Sequence, residues 1–244
     1  MKDLTPATQL AELIRGRQPC VVLSGAGMST ESGIPDFRSA TGIWAQYDPM
    51  EVATIDAFRR DPARVWEFYA RRLGVLGDVE PNDGHRALAE LERRGLVQAV
   101  VTQNVDGLHQ RAGSRDVIEV HGSFRRAVCP SCGADESIDE VLRQLADAPV
   151  PACPACGDVL EPGVVMFGEL LPVDAIDRAS ELARGAALML VVGSSLEVWP
   201  VAGLPLDARA FAILNRGPTA LDDRALLKVD AGAGDTLADV VAML

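Results

Sequence analysis

Four of the five cysteines fall into two pairs with identical spacing. Cys129 and Cys132 flank two residues in "CPSC", and Cys153 and Cys156 do the same in "CPAC". A gap of two residues lets both thiolates of a pair face one ion, and two such pairs complete a tetrahedral Zn²⁺ site with no open position for a substrate. The alternatives are four unrelated buried thiols or a redox motif, but a redox motif needs only one pair. The pattern therefore favours a structural zinc ion.

A glycine-rich turn follows the first strongly apolar run of the chain, in "VVLSGAGMSTESGIPDFRS" (21–39). Gly25 and Gly27 would let backbone amides approach a pyrophosphate, and a helix starting behind them would add a favourable dipole. Alone this signal is weak, because many tight turns contain glycine. Binding of a dinucleotide does not by itself require the "PDFR" that follows the turn. The turn therefore indicates a nucleotide site with an additional task.

Four more polar segments each come directly after an apolar run: "TQNVDGLH" (102–109), "HG" (121–122), "GSS" (193–195) and "LNRG" (214–217). In an open α/β sheet, ligands bind outside the carboxyl ends of the strands, so these segments should converge there. The "GSS" segment offers small hydrogen-bond donors, and Asn215 could hold an adenosine ribose.

The chain has three histidines, and only His121 is expected at a strand end that faces the cleft. An imidazole has a pKa near neutrality and can act there as a general base. Because only its position supports catalysis, a structural hydrogen bond is the favoured interpretation on the residues alone. We expect His85 in "NDGH" and His109 in "GLH" to be structural, and Cys20 to be a core residue.

Short apolar runs alternate with helix patterns along the chain. Six runs are predicted to be strands: "CVVLSG", "VQAVVTQ", "DVIEV", "ALMLVVG", "AFAILN" and "ALLKVD". Most are continuously apolar, as expected when both faces of a parallel sheet are covered. Helices are predicted between them, as in "TPATQLAELIRG" with Thr5 as its N-cap and Gly16 as its end. The sequence predicts an α/β fold, a Rossmann-like doubly wound parallel sheet with a smaller inserted lobe.

Two stretches interrupt this alternation and predict the smaller lobe. Residues 40–77 contain "DPARVWEFYARRLG", a helix with Asp61 as its cap and Gly74 as its end, and residues 125–160 contain the paired cysteines. The large domain is then built from residues 1–39, 78–124 and 161–244.

The composition is that of a globular protein, with 244 residues, 48% hydrophobic residues and a net charge of −12. The acidic balance argues against a broad nucleic-acid or anionic-membrane surface and suits cationic partners such as lysine-rich segments. The opening "MKDLTPATQL" lacks the apolar core of a signal peptide, and no run reaches the length of a membrane span. We therefore expect a cytoplasmic protein with neither nucleic-acid nor membrane partners.

The motifs together resemble the sirtuins, NAD-dependent protein-lysine deacylases. "GAGMSTESGIPDFR", "TQNVDGLH", "HG", the two cysteine pairs, "VVMFGE", "GSSLEVWP" and "LNRG" occur in the order typical of that family, over roughly residues 5–240. The resemblance implies a Rossmann-type large domain, a smaller lobe made of a zinc ribbon and a helical piece, and a cleft between them. It also implies NAD as co-substrate, one structural zinc ion, and acylated lysine-containing proteins as substrates.

Sirtuins break the nicotinamide–ribose bond of NAD, and the resemblance assigns the nicotinamide pocket to Ala26, Ile34, Asn104 and Asp106. Asp106 would bind the carboxamide, and Asn104 would lie near the ribose and count with His121 as catalytic. Phe37 would screen the reactive ribose carbon. The full predicted cofactor set is Gly25, Ala26, Gly27, Ile34, Asp36, Phe37, Arg38, Gln103, Asn104, Asp106, Gly193, Ser194, Ser195, Asn215, Arg216 and Ala233.

The resemblance makes His121 the general base. The acyl oxygen would attack the ribose C1′ to give an alkylimidate, and a ribose hydroxyl deprotonated through His121 would then attack the imidate carbon. The products would be nicotinamide, O-acyl-ADP-ribose and free lysine.

The resemblance places the acylated peptide between "VVMFGE" and "GSSLEVW". A substrate strand adding to exposed backbone gives affinity with little sequence preference. Apolar residues in these segments could instead be core residues, as we expect for Val164. In the predicted peptide-binding set, Val165 and Phe167 would form the walls of an apolar lysine channel. The residues that would contact the peptide backbone are Gly168, Leu196, Glu197 and Val198.

The acyl group is left open by the sequence. Tyr69 and Arg72 lie three residues apart on one helix face, as in sirtuins that remove succinyl or malonyl groups, where a small residue such as Ala53 lies upstream. The alternative is an amphipathic helix in which Tyr69 packs and Arg72 is solvated. The "IPDFR" loop resembles that of deacetylases, so deacetylation is expected in either case.

Two other functions share parts of this pattern. Mono-ADP-ribosyl transfer uses the same glycosidic cleavage with a different nucleophile, but His121 beside a complete "TQNVD" favours deacylation. A zinc-ribbon sensor could bind NAD or ADP-ribose without turnover.

Overall fold

The computed structural model describes residues 4–76 and 79–244. Residues 1–3 and the predicted boundary at residues 77 and 78 lie outside the described residues. The strands are β1 (Cys20–Ser24), β2 (Ala99–Thr102), β3 (Val117–Glu119), β4 (Gly122–Val128), β5 (Asp135–Ser137), β6 (Glu161–Val164), β7 (Leu188–Val192), β8 (Phe211–Leu214) and β9 (Leu227–Val229). The α-helices are α1 (Pro6–Gly16), α2 (Pro49–Val52), α3 (Ile55–Arg60), α4 (Pro62–Leu76), α5 (Asp83–Arg93), α6 (Leu108–Arg111), α7 (Ile138–Asp147), α8 (Val173–Gly185), α9 (Leu204–Asp207) and α10 (Ala233–Met243).

Six parallel strands form the main sheet in the order β3-β2-β1-β7-β8-β9. These are the six strands predicted from the apolar runs, and β1, β2, β7 and β8 are buried along their whole length. The order is that of a doubly wound sheet, which confirms the predicted fold class. Successive connections change direction between β1 and β7, and ligands bind beyond the strand ends at such a switch point.

Helices cover both faces of this sheet. α1, α5 and α10 pack on one face around Leu10, Leu88 and Leu237, and α8 and α9 pack on the other around Ala179 and Leu204. Burial of these apolar side chains is the main source of stability of the large domain. The fold leaves the carboxyl ends of the strands uncovered, where the loops that follow them can form a site.

The two stretches that interrupt the alternation pack together on one separate core. A three-stranded antiparallel sheet, in the order β5-β4-β6, lies with α2, α3, α4 and α7. Trp66 on α4 is fully buried, and its indole Nε1 donates a hydrogen bond to the carbonyl oxygen of Leu160 at 2.7 Å. This bond joins the helical segment to the segment that contains the cysteines.

Two local predictions were wrong. The glycine turn after β1 continues into two 3₁₀ turns, Ala26–Met28 and Thr30–Ser32, so no α-helix begins behind it. α4 continues past Gly74 to Leu76. Gly74 is exposed, a Cβ added to it would meet no atom within 4 Å, and a helical glycine costs only about 1 kcal/mol relative to alanine. In the part of the chain that the structure describes, no helix is long and apolar enough to cross a membrane.

Candidate active site

A cavity of about 550 Å³ lies at the switch point, between the strand ends of the main sheet and the smaller lobe. Its walls include both predicted catalytic residues, Asn104 and His121. All predicted cofactor residues except Ala233 line it, as do all predicted substrate residues except Leu196. The sequence therefore identified side chains from seven separate segments that share one cavity.

The two exceptions are core residues. Leu196 is 1% exposed and its side chain packs in the core between the sheet and α8, so only its backbone could contact a peptide, and that contact stays a prediction. Its φ of 56° is in the left-handed region, which is rare for a residue other than glycine. Ala233 begins α10, and its side chain is buried against the opposite face of the sheet.

The glycines around the cavity hold two loops in close contact. Gly25 N–H donates to the carbonyl of Val192 at 3.0 Å, and Gly27 N–H donates to that of Gly193 at 2.8 Å. These two amides are therefore already bonded within the protein, and the approach of other backbone amides of the turn to a pyrophosphate stays a prediction. A Cβ on Gly193 would lie 2.2 Å from the backbone nitrogen of Met28, so the close approach itself requires glycine.

A buried hydroxyl connects Asn104 to Asp106. Ser29 is 1% exposed; its Oγ donates to Asp106 Oδ2 at 2.7 Å and accepts from Asn104 Nδ2 at 3.1 Å. Asn104 Nδ2 also donates to the carbonyl of Gly25 at 3.1 Å. Because both amide hydrogens of Asn104 are used, its Oδ1 remains as the acceptor for a ligand.

The carboxylate of Asp106 is held by two donors. Besides the Ser29 hydroxyl, the backbone N–H of Leu108 donates to Asp106 Oδ1 at 2.9 Å. Burial raises the pKa of Asp106, and the two hydrogen bonds and the nearby Arg72 oppose that shift. Asp106 is thus a fixed acceptor at the base of the cavity. Ser29 was missed by the sequence reasoning, although its place inside "GAGMS" was a usable signal.

The imidazole of His121 has a defined tautomer. Its Nδ1 lies 3.2 Å from the carbonyl oxygen of Gln103, and a carbonyl only accepts, so Nδ1 carries the hydrogen. Burial lowers the pKa of His121, with the Gln103 bond opposing the shift. The ring is therefore neutral near pH 7, with the lone pair of Nε2 available as a base. Gly122 must follow it, because a Cβ there would lie 2.3 Å from the carbonyl of Gly163.

Polar contacts join segments across the cavity. Gln103 Nε2 donates to Ser194 Oγ at 2.9 Å, and Arg38 Nε forms an ion pair with Glu197 Oε2 at 2.9 Å. Asn215, in the loop after β8, donates through Nδ2 to the carbonyl of Arg216 at 2.9 Å, which leaves its Oδ1 for a ligand. The walls of the cavity are thus fixed on the side of the sheet.

Tyr69 and Arg72 reach the cavity from α4 through an aromatic cluster. Tyr69 is 6% exposed and packs edge-on against Phe68 and Phe124, with ring centroids 5.1 and 5.6 Å away. The Arg72 guanidinium lies 5.0 Å from the centroid of the Phe37 ring. Among residues 4–76 and 79–244, no carboxylate is within ion-pair distance of it. Phe68 and Phe124 were not predicted as site residues.

Burial affects both polar groups of this pair. It lowers the pKa of Arg72, against the favourable effect of Tyr69 and Asp106, and it raises the pKa of Tyr69. Tyr69 therefore keeps its phenolic hydrogen as a donor, and Arg72 is a cation in a partly apolar wall. A carboxylate brought to this wall would find two donors.

The four predicted metal ligands meet at the end of the smaller lobe. All four sulfur atoms lie within 4.8 Å of one another, with Cys129 Sγ 3.5 Å from Cys156 Sγ and Cys132 Sγ 3.6 Å from Cys153 Sγ. A tetrahedron with Zn–S bonds of about 2.3 Å has edges of about 3.8 Å, so the donor set fits one Zn²⁺. All ligand positions are thiolates, which suits a structural ion that supports the lobe.

Comparisons with known proteins identify the family. The model of the Sir2 family matches residues 25–200. An NAD-dependent protein deacetylase of Chromobacterium violaceum is 46% identical over 234 residues, covering 93% of each chain. NAD-dependent protein deacetylase 1 of Geobacillus kaustophilus is 53% identical over 210 residues, covering 84% of each chain. NAD-dependent protein deacylase 2 of Pyrobaculum aerophilum is 44% identical over 236 residues, covering 95% of this chain and 93% of its own.

Solved structures agree with the sequence relatives. A Sir2 mutant with a deacetylated p53 peptide and 3′-O-acetyl ADP-ribose superposes with a TM-score of 0.94 at 38% identity, covering 98% of each chain. A complex of Sir2 with p53 peptide and NAD⁺ has a TM-score of 0.90 at 38% identity, again covering 98% of each chain. The motifs, the fold and these comparisons agree: this chain belongs to the Sir2 family.

Proposed function

We propose that the protein is an NAD-dependent protein-lysine deacylase that converts acyl-lysine, NAD and water into lysine, nicotinamide and O-acyl-ADP-ribose. The observation that carries the proposal is the neutral His121, whose Nδ1–H is bound to the Gln103 carbonyl while Nε2 remains free in the cavity that Asn104 and Asp106 also line. The curated relatives at 41–53% identity are named deacetylases or deacylases.

NAD would contribute an activated ribose, whose bond to nicotinamide is the one broken. Asn104 and Asp106 would hold the nicotinamide end, Asn104 by offering Oδ1 to a ribose hydroxyl and Asp106 by accepting the carboxamide N–H. Asn215 would hold the other ribose. These are acceptors fixed in advance, which favours the bound geometry at little entropic cost.

His121 would then take a proton from a ribose hydroxyl. An Nδ1–H bound to a carbonyl fixes the ring plane and directs the basic Nε2 lone pair. General bases of this kind contribute roughly 10²–10⁴-fold to the rate. We therefore assign the base role to His121 alone of the three histidines.

The acylated peptide would enter between the segment after β6 and the loop after β7. Val165 N–H is bonded to the His121 carbonyl, and Phe167 N–H to the carbonyl of Ala53, so this segment is held in extended form beside the cavity. Phe167 is 44% exposed and would contact the lysine stem. A peptide that binds by pairing its backbone with this segment would be accepted with little dependence on its amino-acid sequence.

We propose desuccinylation or demalonylation as an additional activity. Arg72 is partly buried, its guanidinium lies over the Phe37 ring, and it forms no ion pair among the described residues. A distal acyl carboxylate would give it an ion-pair partner. Ala53, which also lines the cavity, leaves space beside the pair.

The test is nicotinamide release from NAD with an acetyl-lysine peptide, the same peptide unacylated, and no peptide. A deacylase releases nicotinamide only with the acylated peptide, and the peptide loses its acyl group. Release with the unacylated peptide, together with a gain of ADP-ribose by that peptide, would identify a mono-ADP-ribosyltransferase instead. Binding of NAD without release under all three conditions would identify a sensor.

A further inference from the structure

Two histidines that the mechanism does not use lie side by side in the core. His85 in the first turn of α5 is 0% exposed, and His109 on α6 is 1% exposed. Their rings meet edge to face, with centroids 4.9 Å apart and planes inclined by 60°. His85 Nε2 and His109 Nδ1 are both buried without a hydrogen-bond partner among the described residues. Buried polar atoms of this kind are usually paired, so the two nitrogens require an explanation.

The proton on His85 can be assigned from its first partner. The backbone N–H of Asn82 donates to His85 Nδ1 at 3.4 Å, within a capping box in which Asn82 Oδ1 accepts from the His85 N–H. An amide N–H can only donate, so His85 Nδ1 is the acceptor nitrogen. A neutral imidazole has one N–H, and His85 must carry it on Nε2.

The proton on His109 can be assigned independently, from the hydrogen bond between His109 and Ser24. His109 Nε2 lies 2.8 Å from Ser24 Oγ, and that hydroxyl donates its only hydrogen to Thr102 Oγ1 at 2.8 Å. Ser24 must therefore accept from His109, which places the hydrogen on Nε2. His109 Nδ1 is left with a lone pair.

The two atoms without partners are thus one donor and one acceptor on adjacent rings. We propose that His85 and His109 form a directed hydrogen-bond relay, through an N–H···N bond from His85 Nε2 to His109 Nδ1, that positions Asn104 for nicotinamide–ribose cleavage. The bond is not made in the edge-to-face arrangement of the structure, where neither nitrogen has a partner in the described part of the chain, and it requires the rings to turn toward each other across the 4.9 Å between their centroids.

The relay ends at the active site. Thr102 Oγ1, which accepts from Ser24, also accepts from the backbone N–H of Asn104 at 3.0 Å. At its other end, Asn82 Nδ2 donates to the carbonyl of Met28 in the turn after β1 at 2.9 Å. The chain of bonds therefore ties the start of α5 to both loops that hold the Asn104 side chain. His85 and His109 are positioning residues, since neither lines the cavity.

Both rings are suited to remain neutral. Burial lowers the pKa of His85 to about 4, with Arg86 adding to the effect, and burial lowers the pKa of His109 to about 3, with His85 adding to it. Near pH 7 each ring therefore carries one hydrogen, as the relay requires.

The tautomers can be measured on the intact wild-type protein by ¹⁵N NMR of labelled histidine, without turnover. The relay requires hydrogen on Nε2 of both His85 and His109 at pH 7, and a coupling across the shared bond. Hydrogen on Nδ1 of either ring, or a charged ring, would overturn the proposal. This measurement stands apart from the proposed deacylase function, on which only the kinetic consequence depends.

The kinetic consequence is tested by exchange of labelled nicotinamide into NAD in the presence of acyl peptide. His109→Leu removes the donor to Ser24 and should lower kcat about tenfold, the effect of one neutral hydrogen bond, with the KM for NAD within about twofold of wild type. His109→Gln places an amide N–H near the position of Nε2 and should recover most of the loss. Val240→Ala on α10, a fully buried residue outside the chain of bonds, is the control for lost stability, and its kcat should be unchanged.

Two kinetic outcomes contradict the relay. Normal kcat in His109→Leu would show that the bond to Ser24 does not position Asn104. Equal loss in His109→Gln and His109→Leu, or a loss matched by Val240→Ala at equal Tm, would show that His109 acts only in packing.

Discussion

The Ser29 hydroxyl donates to Asp106 at 2.7 Å and, by doing so, is oriented to accept from the side-chain amide of Asn104. One buried oxygen thus sets the direction of both polar groups at the base of the cavity. Asn104 is left presenting Oδ1, and Asp106 is held at a fixed position.

Ser29→Ala should therefore impair turnover without unfolding the protein. Loss of the hydroxyl leaves Asp106 without one donor and Asn104 without one acceptor, each worth about 0.5–1.5 kcal/mol, so kcat/KM for NAD should fall on the order of tenfold to a hundredfold. Steady-state kinetics with saturating acyl peptide measure the change. Ser32→Ala is the matched control, because the buried Ser32 Oγ on the same loop has no partner among the described residues, and its kinetics should be those of wild type. Equal effects of the two substitutions would contradict this assignment.

The pH dependence of kcat/KM should show that the pKa of His121 is lowered. His121 is active when neutral, so activity is lost as pH falls through its pKa, and burial places that pKa below the ordinary value of about 6.5. We expect a flat profile above neutrality and an acid limb below pH 6.5. His121→Ala should lose most deacylation, and its residual rate should lack this limb. An acid limb at or above pH 6.5 would contradict the neutral, buried ring.

One equivalent of zinc should accompany the folded protein. Cys129→Ser should lower the metal content and the unfolding temperature together, because binding to four preorganised thiolates contributes on the order of several kcal/mol to folding. Metal analysis and thermal unfolding measure both. Cys20→Ala is the control: Cys20 is fully buried in the main core, far from the four ligands in sequence, and its loss should leave one zinc ion bound. Full stability of metal-free protein would contradict the structural role.

Arg72→Met should lower activity on succinyl peptides and leave activity on acetyl peptides nearly unchanged. The guanidinium can bind a distal carboxylate with charge-assisted hydrogen bonds worth roughly 1.5–3 kcal/mol, so kcat/KM for a succinyl peptide should fall about ten- to a hundredfold while that for an acetyl peptide changes little. Arg71→Met is the matched control, because its neighbour Arg71 is exposed and paired with Glu67. Equal losses for both acyl groups would make Arg72 a structural residue that packs on Phe37. Absence of desuccinylation in the wild type would remove that activity from the proposal.

Much of the fold could be predicted because the local signals agree with the tertiary structure. Most of the six strands of the main sheet were continuous apolar runs, and Thr5 caps α1 through a hydrogen bond from the Thr8 N–H at 3.2 Å, as expected from "TPATQ". Gly74 was misleading because an exposed glycine does not end a helix whose other face is buried by packing.

The sequence predicted which segments lie beside the cavity, but it did not predict the hydrogen bonds that individual atoms make there. The motifs placed Gly25 and Gly27 beside the cavity, yet only the tertiary structure shows that their amides bond to the loop after β7. The relation between Ser29, Asn104 and Asp106 depends on two loops that are distant in sequence, and Leu196 lies inside a motif while its side chain packs in the core. Spacing along the chain carries no information about such pairings.

The most direct test is mass analysis of the products from NAD and an acetyl-lysine peptide. The account predicts that nicotinamide, deacetylated peptide and acetyl-ADP-ribose form in equal amounts, and that His121→Ala lowers all deacetylated product by roughly 10²–10⁴-fold. A peptide that gains ADP-ribose, or nicotinamide released while the acetyl group stays on lysine, would contradict it.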